Sequence, residues 1–115
     1  MSAEPLVLPV PELTTGPWRL RPWGADDVDA LVAAWHDAAV VAGSTPPADR
    51  SPAAAGRWID GFDERRRAGV ALDLVVVDDR DAVVGEVGLS RLDPTRRAAV
   101  IGWWVGADHR RRGVA

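Results

Sequence analysis

The chain has 115 residues, 47% of them hydrophobic and 27% charged, with 14 basic side chains against 17 acidic ones and a net charge of -3. That length holds one domain at most, and the balance is that of a globular chain rather than a disordered one. The acidic excess argues against nucleic-acid binding through overall charge, the lack of cysteine excludes disulfides and thiol chemistry, and no apolar run approaches the roughly 20 residues that span a bilayer.

Residues 1–14 read as a flexible, Pro-rich leader. Glu4 sits where a signal peptide needs positive charge, and Pro5, Pro9 and Pro11 interrupt the apolar residues, so the expected location is cytoplasmic. From Pro17 to Trp23, "PWRLRPW" alternates apolar and charged side chains and predicts a first strand ending near Pro22, which has no N–H to donate. "ADDVDALVAAWHDAA" places Val28, Leu31, Val32 and Trp35 at helical spacing, with Asp26 and Asp27 in the first turn, where carboxylates favour the helix dipole. Residues 41–52, rich in Gly, Ser and Pro, read as a loop.

A second helix is punctuated at both ends. Ser51 is the N-cap, Pro52 the first helical residue, Ala55, Trp58, Ile59 and Phe62 share a face, Arg65 to Arg67 occupy the last turn, and Gly69 is the stop. Beyond Val70 the period changes to two. "VALDLVVV" and "VVGEVGLSRL" flank the polar turn "DDRDA" and predict a hairpin. After "DPTRR", the stretch "AAVIGWWV" (residues 98–105) is almost continuously apolar, the pattern of a strand buried on both faces. It runs into "GADHRRRGVA". A strand leading into a glycine-containing turn can aim successive backbone N–H groups into one concavity that binds phosphate. Gly113 permits close backbone approach, and Arg110 adds a charge-assisted donor.

The predicted order is therefore β-α-α-β-β-β in an α/β (α+β) chain. Three stretches carry a family resemblance: "LRPW" at the end of the first strand, "VVGEVGLSRLD", and "IGWWVGADHRRRGVA", in which Val105, Arg110, Gly113 and Ala115 fall at the spacing of an acetyl-CoA signature. The sequence resembles the N-terminal part of the GNAT superfamily of N-acetyltransferases, and within it the RimJ/RimL-like branch, over about residues 14–115. The resemblance implies a GNAT-like mixed, mainly antiparallel sheet truncated after its fourth strand, with residues 15–115 forming a partial acetyltransferase domain.

It further implies an acyl-CoA-dependent N-acetyltransferase that takes acetyl-CoA as cosubstrate and a primary amine, a protein N-terminus or a small amine, as acceptor. Trp103, Trp104 and Val105 would meet the pantetheine arm where the sheet splays at a bulge near Gly102 or Gly106. Arg110, Arg111, Arg112, Gly113, Val114 and Ala115 would form the diphosphate loop.

Catalysis by this route needs a base for the attacking ammonium and an acid for the departing thiolate. The family's frequent carboxylate on the fourth strand is replaced by Ala99 and Val100, and the chain has no tyrosine to act as the acid. Glu86 is the remaining candidate base, placed opposite Val83, Val87 and Leu89; its competing reading is a solvated strand-face glutamate. His36 near a helix end and His109 in the last loop read as capping or surface residues, and no metal site is expected. Trp18, Trp23, Trp35 and Trp58 fall at core-like positions, with a tryptophan-lined acceptor pocket between the helices as the alternative. The opposed reading of the whole chain is a non-catalytic, degenerate fragment whose exposed last strand pairs with a second copy or another chain. No partner membrane or nucleic acid is expected.

Overall fold

The computed structural model describes residues 7–44 and 46–115. The first six residues of the expected leader, Glu4 and Pro5 among them, lie outside these. The sheet begins earlier than the sequence suggests. Leu13–Thr15 (β1) and Trp18–Pro22 (β2) form a hairpin whose turn requires Gly16 at φ +57°, a left-handed conformation that suits glycine. Ahead of it, Leu8 is buried beside Phe62, Leu72 and Leu74, and it exchanges main-chain and guanidinium hydrogen bonds with Arg66. Within the stretch expected as a leader, Leu8 is thus packed in a core cluster while Val7, Val10 and Leu13 are exposed: an apolar side chain found a core site that its proline-rich context hid.

The first predicted helix is broken into three. A single 3-10 turn, Ala25–Asp27, leads into Val28–Trp35 (α1), and Ala38–Gly43 (α2) follows after His36 closes α1. Asp37 caps α2, its carboxylate accepting from the Ala39 N–H. The second helix starts where its signals place it. Ser51 Oγ accepts from the Ala54 N–H at 3.2 Å and Pro52 opens Pro52–Asp60 (α3). Phe62–Arg67 (α4) follows across Gly61, and Gly69 at φ +69° ends the run.

Ala71–Val77 (β3), Val83–Asp93 (β4) and Ala98–Val105 (β5) complete a sheet of order β1-β2-β3-β4-β5, with every pairing antiparallel. A bulge between Val76 and Val77 re-registers β4, so Val83 packs with the helix-side core instead of lying with Val87 and Leu89. The β4–β5 irregularity falls between Ser90 and Asp93. The expected bulge at Gly102 or Gly106 is absent there, because pairing runs unbroken from Ser90–Val100 to Gly85–Val105 and continues as Gly106 N–H to Val84 C=O.

The two faces of the sheet differ. On one, Trp23, Val75 and Val77 pack under Leu31 and Trp35 of α1 and Ala55 and Ile59 of α3. On the other, Leu72 and Leu74 are buried with Leu8 and Phe62, while Leu20, Val87 and Leu89 are half-buried. β5 differs most from expectation. Rather than being buried on both faces it is the edge strand, with Ile101 58% and Trp103 61% exposed. An apolar run records what a strand needs covered; it does not supply the cover. Among the described residues no helix is long and apolar enough to cross a membrane.

"LRPW" has a structural explanation in this frame. Leu20 enters the second face, Trp23 the helix-side core, and Arg21 forms a two-pronged pair with Asp27 at 2.7 and 3.0 Å. Asp27 also accepts from the Gly24 N–H, and Arg21 reaches Asp81 in the β3–β4 turn. Burial pushes the Asp27 carboxyl upward, but the Arg21 and Gly24 donors outweigh it and hold the group below its ordinary value. The network ties the strand end, the helix entry and a distant turn together.

Candidate active site

Alternation along β4 and β5 decides which side chains meet. Glu86 lies between Val75 of β3 and Trp104 of β5, and the next row toward the DPTRR turn reads Asp73, Gly88, Gly102. Both rows face the helices. Trp104 packs against the helix-side core with its ring 6.3 Å from that of Trp23, which in turn meets Trp58 edge-on at 6.2 Å. Trp103 lies on the opposite face and is exposed. The adjacent tryptophans thus divide between the faces, as strand geometry requires.

Between the helices and the sheet lies a cavity of about 290 Å³ whose wall includes Leu31, Trp35, Val40, Trp58, Asp73, Glu86, Gly88, Gly102 and Trp104. Of the four tryptophans considered for a pocket between the helices, Trp35 and Trp58 line this cavity, and Trp18 and Trp23 do not. Two acidic groups line it. Glu86 is half-buried rather than on a solvated strand face, its Oε2 accepting from the Trp23 indole N–H at 2.8 Å. Burial, and then the nearby Asp73 charge, push its carboxyl from 4.5 up to about 7, against the pull of the Trp23 and Trp104 indoles and of Arg65. The Asp73 carboxyl is likewise raised by burial, opposed by Arg65. A carboxylate poised near neutrality can take a proton from an ammonium and return it to solvent.

On the opposite face a second cavity, of about 330 Å³, is lined in part by Trp18, Leu20, Val87, Ile101, Trp103, Val105, Val114 and Ala115. The final turn of the chain connects to it. After a short 3-10 turn, Ala107–His109, the residues Arg111 and Gly113 take positive φ, +62° and +79°. Gly113 lies beside Trp18, and Arg111 and Arg112 are exposed. Arg110 is engaged, its Nε donating to the Val105 carbonyl at 3.0 Å and its Nη2 to Asp37 at 2.9 Å. The loop arginine is therefore tied to the cap of α2. Nothing in the local sequence marks Asp37 as its partner, 73 residues away.

Of the other singled-out residues, His36 caps the helix as expected, with Nδ1 2.8 Å from the Val32 carbonyl. His109, expected at the surface, is half-buried against a cavity shared with Ala34, Asp37 and Val83. Sequence reasoning missed Asp73. On β3 it reads as one polar residue interrupting an apolar run, and only pairing with β4 shows that it shares a cavity with Glu86.

Helices packed on an antiparallel sheet thus lead to an open edge strand with an arginine–glycine turn at its exit. Residues 18–115 match the family model described as "Acetyltransferase (GNAT) domain", and the chain belongs to that family. Among solved structures it is similar to a ribosomal-protein-S5-alanine acetyltransferase from Vibrio fischeri (TM-score 0.69, 16% identity, 90% of this chain and 60% of that one). It is also similar to a putative ribosomal-protein-serine acetyltransferase from Vibrio cholerae (0.69, 23%, 92% and 60%). A third similar structure is Mycobacterium smegmatis RimJ in complex with CoA-disulfide (0.65, 22%, 81% and 48%). The chain thus spans about half to three fifths of the length of these structures. A search of curated proteins found no match.

Proposed function

We propose that this chain carries the acceptor-activating half of an acyl-CoA-dependent N-acetyltransferase, in which Glu86 is the general base and the last turn receives the diphosphate of acetyl-CoA. The observation that carries the reading is the placement of Glu86, raised to about 7, in a cavity beside the strand that runs into Arg110–Gly113. Membership of the GNAT family supports the class of reaction.

In the proposed step Glu86 takes one proton from the acceptor ammonium. The freed amine nitrogen bonds to the thioester carbonyl carbon, the C–S bond breaks, and the second N–H proton goes to the departing thiolate. The products are the acetamide, the free thiol and a proton passed by Glu86 to water. β5 supports the cosubstrate reading. As the last strand in the sheet it turns half of its N–H and C=O groups away from β4 around Trp103, Trp104 and Val105, where an extended amide-bearing chain can bond to them. The turn Arg110–Ala115 supplies left-handed residues at Arg111 and Gly113 and three guanidinium groups for an anion. Arg110 exchanges its Asp37 contact for phosphate oxygens.

The test is direct. Acetyl-CoA raises the melting temperature of the chain, and a primary amine with acetyl-CoA releases free thiol. No shift at millimolar acetyl-CoA sinks the cosubstrate assignment.

The exposure of Val100, Ile101 and Trp103 on an unpaired edge favours a second reading, a non-catalytic module that pairs with a second copy through β5. It requires concentration-dependent dimerisation that Ile101→Lys abolishes.

A further inference from the structure

The helix-side cavity contains a carboxylate that the reaction above does not use. Asp73 is three-quarters or more buried, and no side chain or backbone group among the described residues hydrogen-bonds to its carboxylate. Its nearest cation, Arg65, stays 3.7 Å away and is itself stacked 4.4 Å over the Trp58 ring. The orientation of Asp73 is informative. A Cβ on Gly88 would lie 2.8 Å from Asp73 Oδ1, so the carboxylate leans across β4 into the space that a side chain there would take. The next position in the row, Gly102 on the edge strand, has nothing within 4 Å of a would-be Cβ. Two consecutive glycines thus clear a lane from the open sheet edge to a carboxylate that opens on the cavity and takes no hydrogen bond from the described residues, and Glu86 stands in the adjacent row.

From this lane, the cavity and the missing donor at Asp73, we infer that Asp73 is the acceptor-binding residue and that the acceptor is a small, singly charged primary amine on a compact apolar body. The inference rests on Glu86 being the base. The acceptor ammonium donates to Asp73, which orients its nitrogen, while a second N–H points at Glu86. Arg65 is a positioning residue: its Nε, 3.7 Å from Asp73 Oδ2, balances the Asp73 charge at a distance beyond a hydrogen bond, and its Nε and Nη2 have no other partner among the described residues.

The chemistry of the walls selects the rest of the acceptor. Asp73 and Glu86 are the acids on the cavity wall, one to pair with an ammonium and one to accept its proton, which leaves no counter-charge for a second cation along the molecule. The rest of the wall mixes apolar side chains, among them Leu31, Trp35, Val40, Trp58 and Trp104, with Ser44 and Ser90; the rings suit a flat or aliphatic body and add cation–π attraction for the charged end. A cavity of about 290 Å³ holds a compact body rather than a chain of several residues, which argues against a peptide N-terminus as the acceptor.

The probe is phenethylamine, with 2-phenylethanol as its uncharged counterpart, and binding to the 115-residue chain is followed by tryptophan fluorescence and calorimetry. Phenethylamine binds and 2-phenylethanol binds at least about tenfold more weakly, in line with a charge-assisted hydrogen bond. Asp73→Asn erases that preference while acetyl-CoA binding is unchanged. Gly102→Leu, whose side chain enters open space and leaves the fold intact, blocks phenethylamine by closing the lane. Equal binding of amine and alcohol, or full amine binding by folded Asp73→Asn or Gly102→Leu, overturns the inference, as does tighter binding of a tripeptide with a free N-terminus. The two readings separate cleanly: amine binding lost in Asp73→Asn with no acetyl-CoA binding by the parent chain sinks the transferase proposal alone, and acetyl-CoA binding with an indifferent Asp73→Asn sinks this one alone.

Discussion

Glu86→Gln is the most informative single change, because the same carboxyl that would serve as base is a charge held against its solvation preference. Its pKa stands near 7 in the folded chain against 4.5 ordinarily. A raised acid binds its proton more tightly when folded, so its contribution to stability is fully present below about pH 4.5 and is lost as pH rises through about 7. At about 1.4 kcal/mol for each tenfold change in proton affinity, the loss amounts to about 3 kcal/mol by pH 8. Glutamine keeps an oxygen for the Trp23 indole N–H and has no proton to lose. The variant should therefore match the parent near pH 4.5 and exceed it progressively to about 3 kcal/mol at pH 8, measured by urea denaturation at half-unit pH steps. Asp27, held low by Arg21 and Gly24 against its burial, titrates in the opposite sense in both proteins and cancels in the difference. A difference between parent and variant that stays flat from pH 4 to 8 would refute the burial of this charge and, with it, the basis for its role as a base. Thiol release with an amine acceptor should rise through pH 7 in the parent and be lost in the variant.

Other outcomes follow from the same geometry. Arg110→Ala combined with Gly113→Asp should abolish the acetyl-CoA thermal shift, because it removes a guanidinium and brings a carboxylate to the turn at φ +79°; an unchanged shift rejects the loop assignment. Asp27→Ala removes the two-pronged partner of Arg21 and the acceptor for the Gly24 N–H but leaves Arg21 paired with Asp81, and should lower stability by about 2 kcal/mol in denaturant titrations at pH 7. Ser51→Ala removes the N-cap acceptor of α3 and should lower stability by about 1 kcal/mol with no effect on acetyl-CoA binding.

Local signals in the sequence were sufficient wherever the physics is local. Ser51, Pro52 and Gly69 bound the second helical run because capping, a preset φ and a left-handed stop are properties of a few consecutive residues. Period-two alternation located β3 and β4, a nearly continuous apolar run located β5, and the spacing of Val105, Arg110, Gly113 and Ala115 marked the turn and the family. Tertiary structure decided everything that depends on what lies across a strand or above it. β5 has the same apolar residues whether it is central or at the edge, and only the strand order shows it uncovered. The proline-rich start concealed Leu8, whose partner Phe62 is distant in sequence, and β1, whose three residues pair across a tight turn at Gly16. Arg110 met Asp37, and Glu86 met Trp23, across separations of 73 and 63 residues. Above all, a glutamate on a strand face is a solvated surface group or a base near neutrality according to which side the helices cover. That choice is made by burial and by the Asp73 charge, neither of which has any expression in the residues next to Glu86 in the chain.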